Sequence, residues 1–239
     1  MKIALINGSP KAGRSASGLL LDSLRAQIGS QAETASVSLR QSSVPQAAWD
    51  ELRGAGAWVL AFPLYVDAVP GHLLSCLTQL EAAGPFPPET HLYGIVNCGF
   101  FEGIQNEPAL EILRNWCRRA GVVWGGGLGV GGGGGLTRMP ETKRGRGPRA
   151  PVEKELAAMA GCILQGETRE SRYVSVAFPK PFYRMAAQWG WRQRIRANGG
   201  KARDLSARPE YRQGGCVKSP RCLCRLPNLE SDSPAKPGV

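Results

Sequence analysis

The chain has 239 residues, 42% of them hydrophobic and 21% charged. That is enough for one packed domain of about 150–200 residues with appendages. Mean hydropathy is −0.22. No stretch reaches the roughly 20 consecutive apolar residues a bilayer-spanning helix needs, and the opening MKIALINGSPKAG lacks the charged-then-apolar pattern of a leader, so membrane spanning and secretion are both unexpected. The formal net charge of +11 is unevenly placed: residues 1–135 carry 9 Lys and Arg against 10 Asp and Glu, whereas residues 136–239 carry 21 against 9. A nucleic-acid-binding body would concentrate its basic residues on the folded part. Here they lie in a Gly- and Pro-rich back part, which argues against nucleic acid as the ligand of the front half. Seven cysteines, an odd number scattered over a long chain, fit a reducing cytoplasm better than a disulfide framework.

In chain order, Lys2–Asn7 (KIALIN) reads as a compact strand ended by Gly8-Ser9-Pro10, and Ser17–Ile28 follows as a helix with Ser17 as N-cap. Glu33–Leu39 is a weaker second strand. Residues 40–53 hold the least defined helical pattern. Ala57–Phe62 is a continuous apolar run, as a strand covered on both faces requires. Pro70–Ala83 is helical, Leu92–Asn97 is a buried strand, and residues 105–120 are helical with Pro108 in the first turn. Val122–Trp124 opens a fifth strand. The glycine run 125–135 reads as a flexible loop, and Lys143–Arg149 as a basic linker. Val152–Gln165 closes the pattern as a helix. The alternation predicts an open, doubly wound α/β parallel sheet of five strands in the order 2-1-3-4-5, followed by a C-terminal helical extension. The expected organisation is a domain over 1–166, an aromatic and basic extension over 167–204 packed on the core or on a partner subunit, and a disordered basic tail over 205–239.

The junction of the first strand and first helix, NGSPKAGRSAS, offers an anion site. Unpaired helix N-terminal amides and the helix dipole favour negative charge there, with hydroxyls from Ser9, Ser15 and Ser17 and the cations Lys11 and Arg14 close by in sequence. It fits neither G-x-x-x-x-G-K-[ST] nor G-x-G-x-x-G, so it suits a terminal monophosphate better than a pyrophosphate. The alternative is an ordinary βα turn using Gly, Ser and Pro for their turn chemistry. After the third strand stands PLYVDAVPG, a proline-bounded loop with one aromatic side chain, able to support a flat heteroaromatic ring by stacking and edge hydrogen bonds.

Taken together, NGSP, the downstream PLYVDAVP and the third segment NCGFFEGIQN with Trp116-Cys117 on the next helix resemble the flavodoxin-like NAD(P)H-dependent FMN reductase and quinone oxidoreductase family. The resemblance implies FMN as cofactor and NADPH or NADH as co-substrate. It further implies a small-molecule electron acceptor (a quinone, a flavin or a similar compound) and a homo-oligomer, commonly a dimer. By that similarity Ser9, Lys11, Ser15, Ala16 and Ser17 match the phosphate loop. Pro63, Leu64, Tyr65, Val66 and Asp67 match the ring-binding loop, and Asn97, Cys98, Gly99 and Phe100 a third loop beside the ring. No side chain is expected to be catalytic in its own right, since the flavin carries the chemistry; Asp67 and Glu102 are polar groups near the ring and not an acid–base pair. Val66 and Asp67 depart from the Gly or Asn that many relatives carry after the tyrosine. No cysteine precedes Cys76, which excludes the iron–sulfur cluster of some members of the wider group. The alternative function is a non-catalytic flavodoxin-like electron carrier or FMN-binding module.

Three other signals carry less. Gly127–Gly132 satisfies G-x-G-x-x-G but lacks a following helix and the acidic residue about 20 positions on that a dinucleotide site requires. Cys216, Cys222 and Cys224 are three thiols without the fourth ligand a structural zinc site wants, so no metal is expected. Residues 182–196 interleave Arg with Trp, Tyr and Phe; membrane-surface or nucleic-acid contact would use such a segment, and packing onto the core or a neighbouring subunit is the reading preferred here.

Overall fold

The structure, a computed structural model, describes residues 1–87, 89–137 and 147–207. Most of the linker 143–149, almost all of the expected tail, and Cys216, Cys222 and Cys224 therefore lie outside the described residues. Two compact units are present, Met1–Ala186 and Ala187–Val239.

The first unit is built on strands β1 (Lys2–Asn7), β2 (Glu33–Ser38), β3 (Ala57–Pro63), β4 (His91–Asn97), β5 (Val123–Val130) and β6 (Arg172–Val174). All pair in parallel in the order β2-β1-β3-β4-β5-β6. The expected 2-1-3-4-5 core is present, but the five-strand expectation is corrected: Arg172–Val174, read as the start of an aromatic extension, adds a sixth strand at the β5 edge. Three residues with one β-branched member are too short to show a strand period in sequence.

Helices α1 (Ala16–Ile28), α2 (Gln46–Arg53), α3 (Gly71–Ala82), α4 (Glu107–Ala120), the single turn α5 (Gly133–Leu136) and α6 (Ala150–Gln165) cover the sheet. The alternation of strand side chains decides which helices go where. Ile3 and Leu5 of β1, Val59 of β3 and Ile95 of β4 point into a core shared with α1 and α6. Their neighbours Ile6, Leu60, Phe62 and Val96 point to the opposite core under α2, α3 and α4. Because both faces of β1, β3 and β4 are covered, these strands read as unbroken apolar runs. Buried indole N–H groups are satisfied, Trp58 Nε1 donating to Leu52 O and Trp116 Nε1 to Leu77 O, each at 2.9 Å.

The glycine run is not the expected flexible loop. Gly125–Gly129 belong to β5, and they are glycine because neighbouring chain passes too close for a Cβ. A Cβ on Gly125 would lie 2.5 Å from the Tyr93 ring, one on Gly127 2.8 Å from Leu110, and one on Gly131 2.0 Å from Phe101 O. The G-x-G-x-x-G match thus begins inside a strand rather than at a strand-to-helix turn.

Helix α7 (Lys180–Ala197) begins in the first unit and ends in the second. In the second unit Gly199 (φ 77°) ends the helix, with Gly200 N donating to Ile195 O, and a 3-10 turn follows at Ala202–Ser206. Trp189 and Trp191 are exposed there, and Arg194 lies 5.8 Å over the Trp191 ring. Among the described residues, no helix is long and apolar enough to cross a membrane.

Candidate functional site

In a sheet whose order reverses beside β1, the crevice lies outside the carboxyl ends of β1 and its neighbours. Three loops gather there: residues 8–15 after β1, 64–68 after β3 and 98–102 after β4.

The first loop is anchored at both ends. Gly8 N donates to Ala61 O (2.8 Å), and His72 Nε2, from the first turn of α3, donates to Gly8 O (3.2 Å). A Cβ on residue 8 would sit 2.7 Å from Leu73 Cδ2, so glycine lets the strand end approach α3. Asn7 Oδ1 then accepts from Ser9 N (3.0 Å), turning the chain sharply. The N-cap of α1 is Ser15 rather than the expected Ser17: its Oγ accepts from Gly18 N at 3.0 Å, and the helix starts one residue earlier, at Ala16. Capping places the Ala16 and Ser17 amides at the open helix end, where they have no acceptor among the described residues. No acidic side chain lies in that first turn. Ser9 and Ser15 are buried at the loop's two ends, and residues 10–14, including Lys11, are exposed. Ser17 is only 1% exposed, its hydroxyl turned toward β4.

The second loop is a two-residue hairpin. Tyr65 N donates to Ala68 O and Ala68 N to Tyr65 O, both at 3.1 Å, with Val66 (φ 50°) and Asp67 (φ 56°) at the tip. Positive φ at both central positions is the type I′ signature, which Asn and Gly satisfy without strain and a β-branched residue does not. Val66 is 98% exposed and Tyr65 is 46% exposed, so the strained tip is presented to solvent. Leu64 N donates to Asn97 O (2.8 Å), and Pro63 ends β3 paired with Asn97.

Asn97 joins the loops. Its buried Nδ2 donates to Ser17 Oγ (2.9 Å) and to Phe62 O (3.0 Å), linking α1, β3 and β4 at one point. Beyond it, three consecutive carbonyls of the third loop accept from two other elements: Cys98 O from Gly133 N (2.7 Å) and Phe100 O from Gly132 N (2.6 Å), both in the turn after β5, and Gly99 O from Tyr183 Oη (2.7 Å) of the last helix. Phe100 itself is exposed. The Cys98 thiol is buried, and that burial pushes its pKa up against the lowering effect of hydrogen bonds from the Phe100 backbone and the Asn106 side chain; it is a packed thiol and not a ready thiolate. Asn106 is fully buried, and its Nδ2 donates to Gly103 O (2.9 Å). A hydrogen bond from Lys180 is the main cause holding the Glu102 carboxyl below its ordinary pKa.

The loops therefore bring Ser9, Ser15, the Ala16 and Ser17 amides, Tyr65, Asn97 and the Cys98–Phe100 segment to one sheet edge. The exposed Lys11 and Asp67 lie on the same loops with their side chains in solvent. His72 and Tyr183 join the site as partners of its loops without any local sequence signal, because both act on residues more than 60 positions away.

No family model matches the chain, and no curated protein matches it. Among solved structures, an NADH:FMN oxidoreductase (EmoB, apo form) superposes with a TM-score of 0.52 at 15% identity, over 75% of this chain and 97% of that one. A rubredoxin oxygen:oxidoreductase from Desulfovibrio gigas superposes with a TM-score of 0.50 at 12% identity, over 69% of this chain. The matched region spans 35% of the D. gigas chain. At these identities the likeness is one of fold. It agrees with the 2-1-3-4-5 strand order in placing the chain in the flavodoxin-like fold class.

Proposed function

We propose that the chain is an FMN-dependent NAD(P)H oxidoreductase that passes reducing equivalents to a small-molecule acceptor such as a quinone or a flavin. The observation that carries this reading is the first loop: a capped helix end with two amides that have no acceptor among the described residues, two buried hydroxyls and no carboxylate in its first turn. That donor set fits a terminal phosphate ester, a dianion at neutral pH. Ser15 keeps its hydroxyl proton for an oxygen acceptor while its Oγ caps Gly18, and Ser9 offers a second hydroxyl from the opposite end of the loop. Lys11 adds long-range attraction.

Pro63, Leu64, Tyr65, Val66 and Asp67 would lie along the ring, with Tyr65 supplying a stacking face and the hairpin backbone its edge contacts. Asn97, Cys98, Gly99 and Phe100 would border it on the β4 side. When bound, FMN supplies two-electron chemistry, taking hydride from NADH or NADPH and returning electrons to the acceptor. The chain's own part is to hold the phosphate, keep the ring in a fixed plane and leave one face open. A homodimer is part of the same proposal.

The test is reconstitution of the purified protein with FMN followed by NADPH and NADH under anaerobic conditions. Bleaching of the visible flavin absorption, with turnover when a quinone is supplied, supports the reading. Stoichiometric FMN binding without reduction by either nucleotide would instead favour a non-catalytic carrier or FMN module.

A further inference from the structure

The third loop is held by more than the sheet that carries it. The first turn of α7 reaches it through four contacts, all inside the first unit. Tyr183 Oη donates to Gly99 O at 2.7 Å, and the Tyr183 and Phe101 rings pack with centroids 5.4 Å apart. Lys180 Nζ hydrogen-bonds Glu102 Oε1 and lies 5.9 Å from the Phe101 ring centroid. The chain leading to α7 is itself fixed: Val174 O accepts from Gly131 N, Ala177 N donates to Pro148 O, and Val176 is buried against Gly132. The short β6 thus delivers Lys180–Tyr183 onto residues 99–102.

Tyr183 has a particular place in this arrangement. The carbonyls on either side of Gly99 are held by backbone amides of the glycine turn after β5, which few substitutions can remove. Gly99 O is held by one side-chain hydroxyl. Chain neighbours aside, Gly99 also has no heavy atom within 4 Å of where a Cβ would stand. We propose that Tyr183 is a positioning residue for the candidate site: its hydroxyl fixes the Gly99–Phe100 peptide and, resting on the FMN reading above, sets that loop against the cofactor ring.

Two measurements on Tyr183→Phe keep this inference separate from its parent. The first is amide hydrogen exchange at Gly132 and Gly133 in the cofactor-free protein, since these amides donate to the carbonyls flanking Gly99. If the Tyr183 hydroxyl positions the loop, both exchange several-fold faster in the variant, with β1 and β3 amides unchanged. Unchanged exchange at Gly132 and Gly133 overturns the positioning role. The second is FMN titration followed by fluorescence quenching and the visible spectrum. Loss of one neutral hydrogen bond should weaken FMN binding about three- to ten-fold and shift the bound spectrum, while the thermal midpoint of the cofactor-free protein stays at the wild-type value. Equal affinity with an identical spectrum, or weakened binding accompanied by a general fall in the thermal midpoint, overturns the role in ring binding. Wild-type protein that takes up no FMN sinks the parent reading and the ring-binding role together, and the exchange result then decides loop positioning alone.

Discussion

Asn97 Nδ2 donates to Ser17 Oγ at 2.9 Å, across 80 residues of sequence, and so ties the end of β4 to the first turn of α1. Because the same nitrogen also donates to Phe62 O, one buried amide holds together helix α1 and the strands β3 and β4 at the candidate site.

Replacing Asn97 by Leu keeps the volume and leaves Phe62 O and the Ser17 hydroxyl without this donor. A buried acceptor left unsatisfied costs about 1–3 kcal/mol. Urea unfolding of Asn97→Leu should show a lower midpoint with an unchanged denaturant slope. A midpoint equal to the wild type would mean that the contact carries no weight.

The hairpin tip makes the opposite prediction. Val66 holds φ at 50° and is almost fully exposed, so its side chain contributes little packing. For a non-glycine residue that region costs roughly 1–2 kcal/mol, and asparagine tolerates it far better. Val66→Asn should therefore raise stability by up to about 1 kcal/mol, seen as an increase in Tm of a few degrees. A decrease would show that Val66 makes a favourable contact that offsets its strain.

Gly131 and Gly134 differ sharply although they stand three residues apart. A Cβ at residue 131 meets Phe101 O at 2.0 Å, whereas one at residue 134 meets nothing within 4 Å. Gly131→Ala should lose about 3 kcal/mol or fail to fold, and Gly134→Ala should be neutral. Equal effects at the two positions would contradict the close approach of the third loop to the β5 turn.

These glycines also show where the fold was legible in sequence. The Lys2–Asn7, Ala57–Pro63 and His91–Asn97 strands are buried on both faces, and the first two have Gly or Pro at an end, so their apolar runs mark them. Strand β5 carries four glycines among eight residues, and its propensity is that of a loop; neighbours such as Tyr93 and Arg169 that need its missing side chains lie far off in sequence. The same division holds in the candidate site. The three loops follow strands with strong signals and could be placed, whereas the reversed cap roles of Ser15 and Ser17, the positive φ at Val66 and the Tyr183 contact depend on tertiary geometry that no local pattern encodes.

Tyr93 offers a pH test of the sheet's packing. It is fully buried, its Oη donates to Glu167 O at 2.7 Å, and burial is the main cause pushing its pKa up to about 12 from 10.0. With the folded value above the unfolded one, the unfolded chain releases this proton first. The contribution of Tyr93 is therefore complete below about pH 10 and is lost as pH rises toward 12. Tyr93→Phe should be less stable than wild type at pH 8, and the gap should narrow between pH 10 and 12. A gap that is constant with pH would contradict the burial of the hydroxyl.

The most direct measurement compares FMN binding by wild type and Ser15→Asp. Aspartate is as good an N-cap as serine, so the helix should keep its cap and the protein its Tm. Its carboxylate, however, would face the phosphate dianion. Wild-type protein is expected to bind FMN stoichiometrically, and Ser15→Asp to lose at least about ten-fold in affinity, the effect of one like-charge contact near a helix end. Equal, tight binding by both proteins would contradict the placement of the phosphate at the first loop.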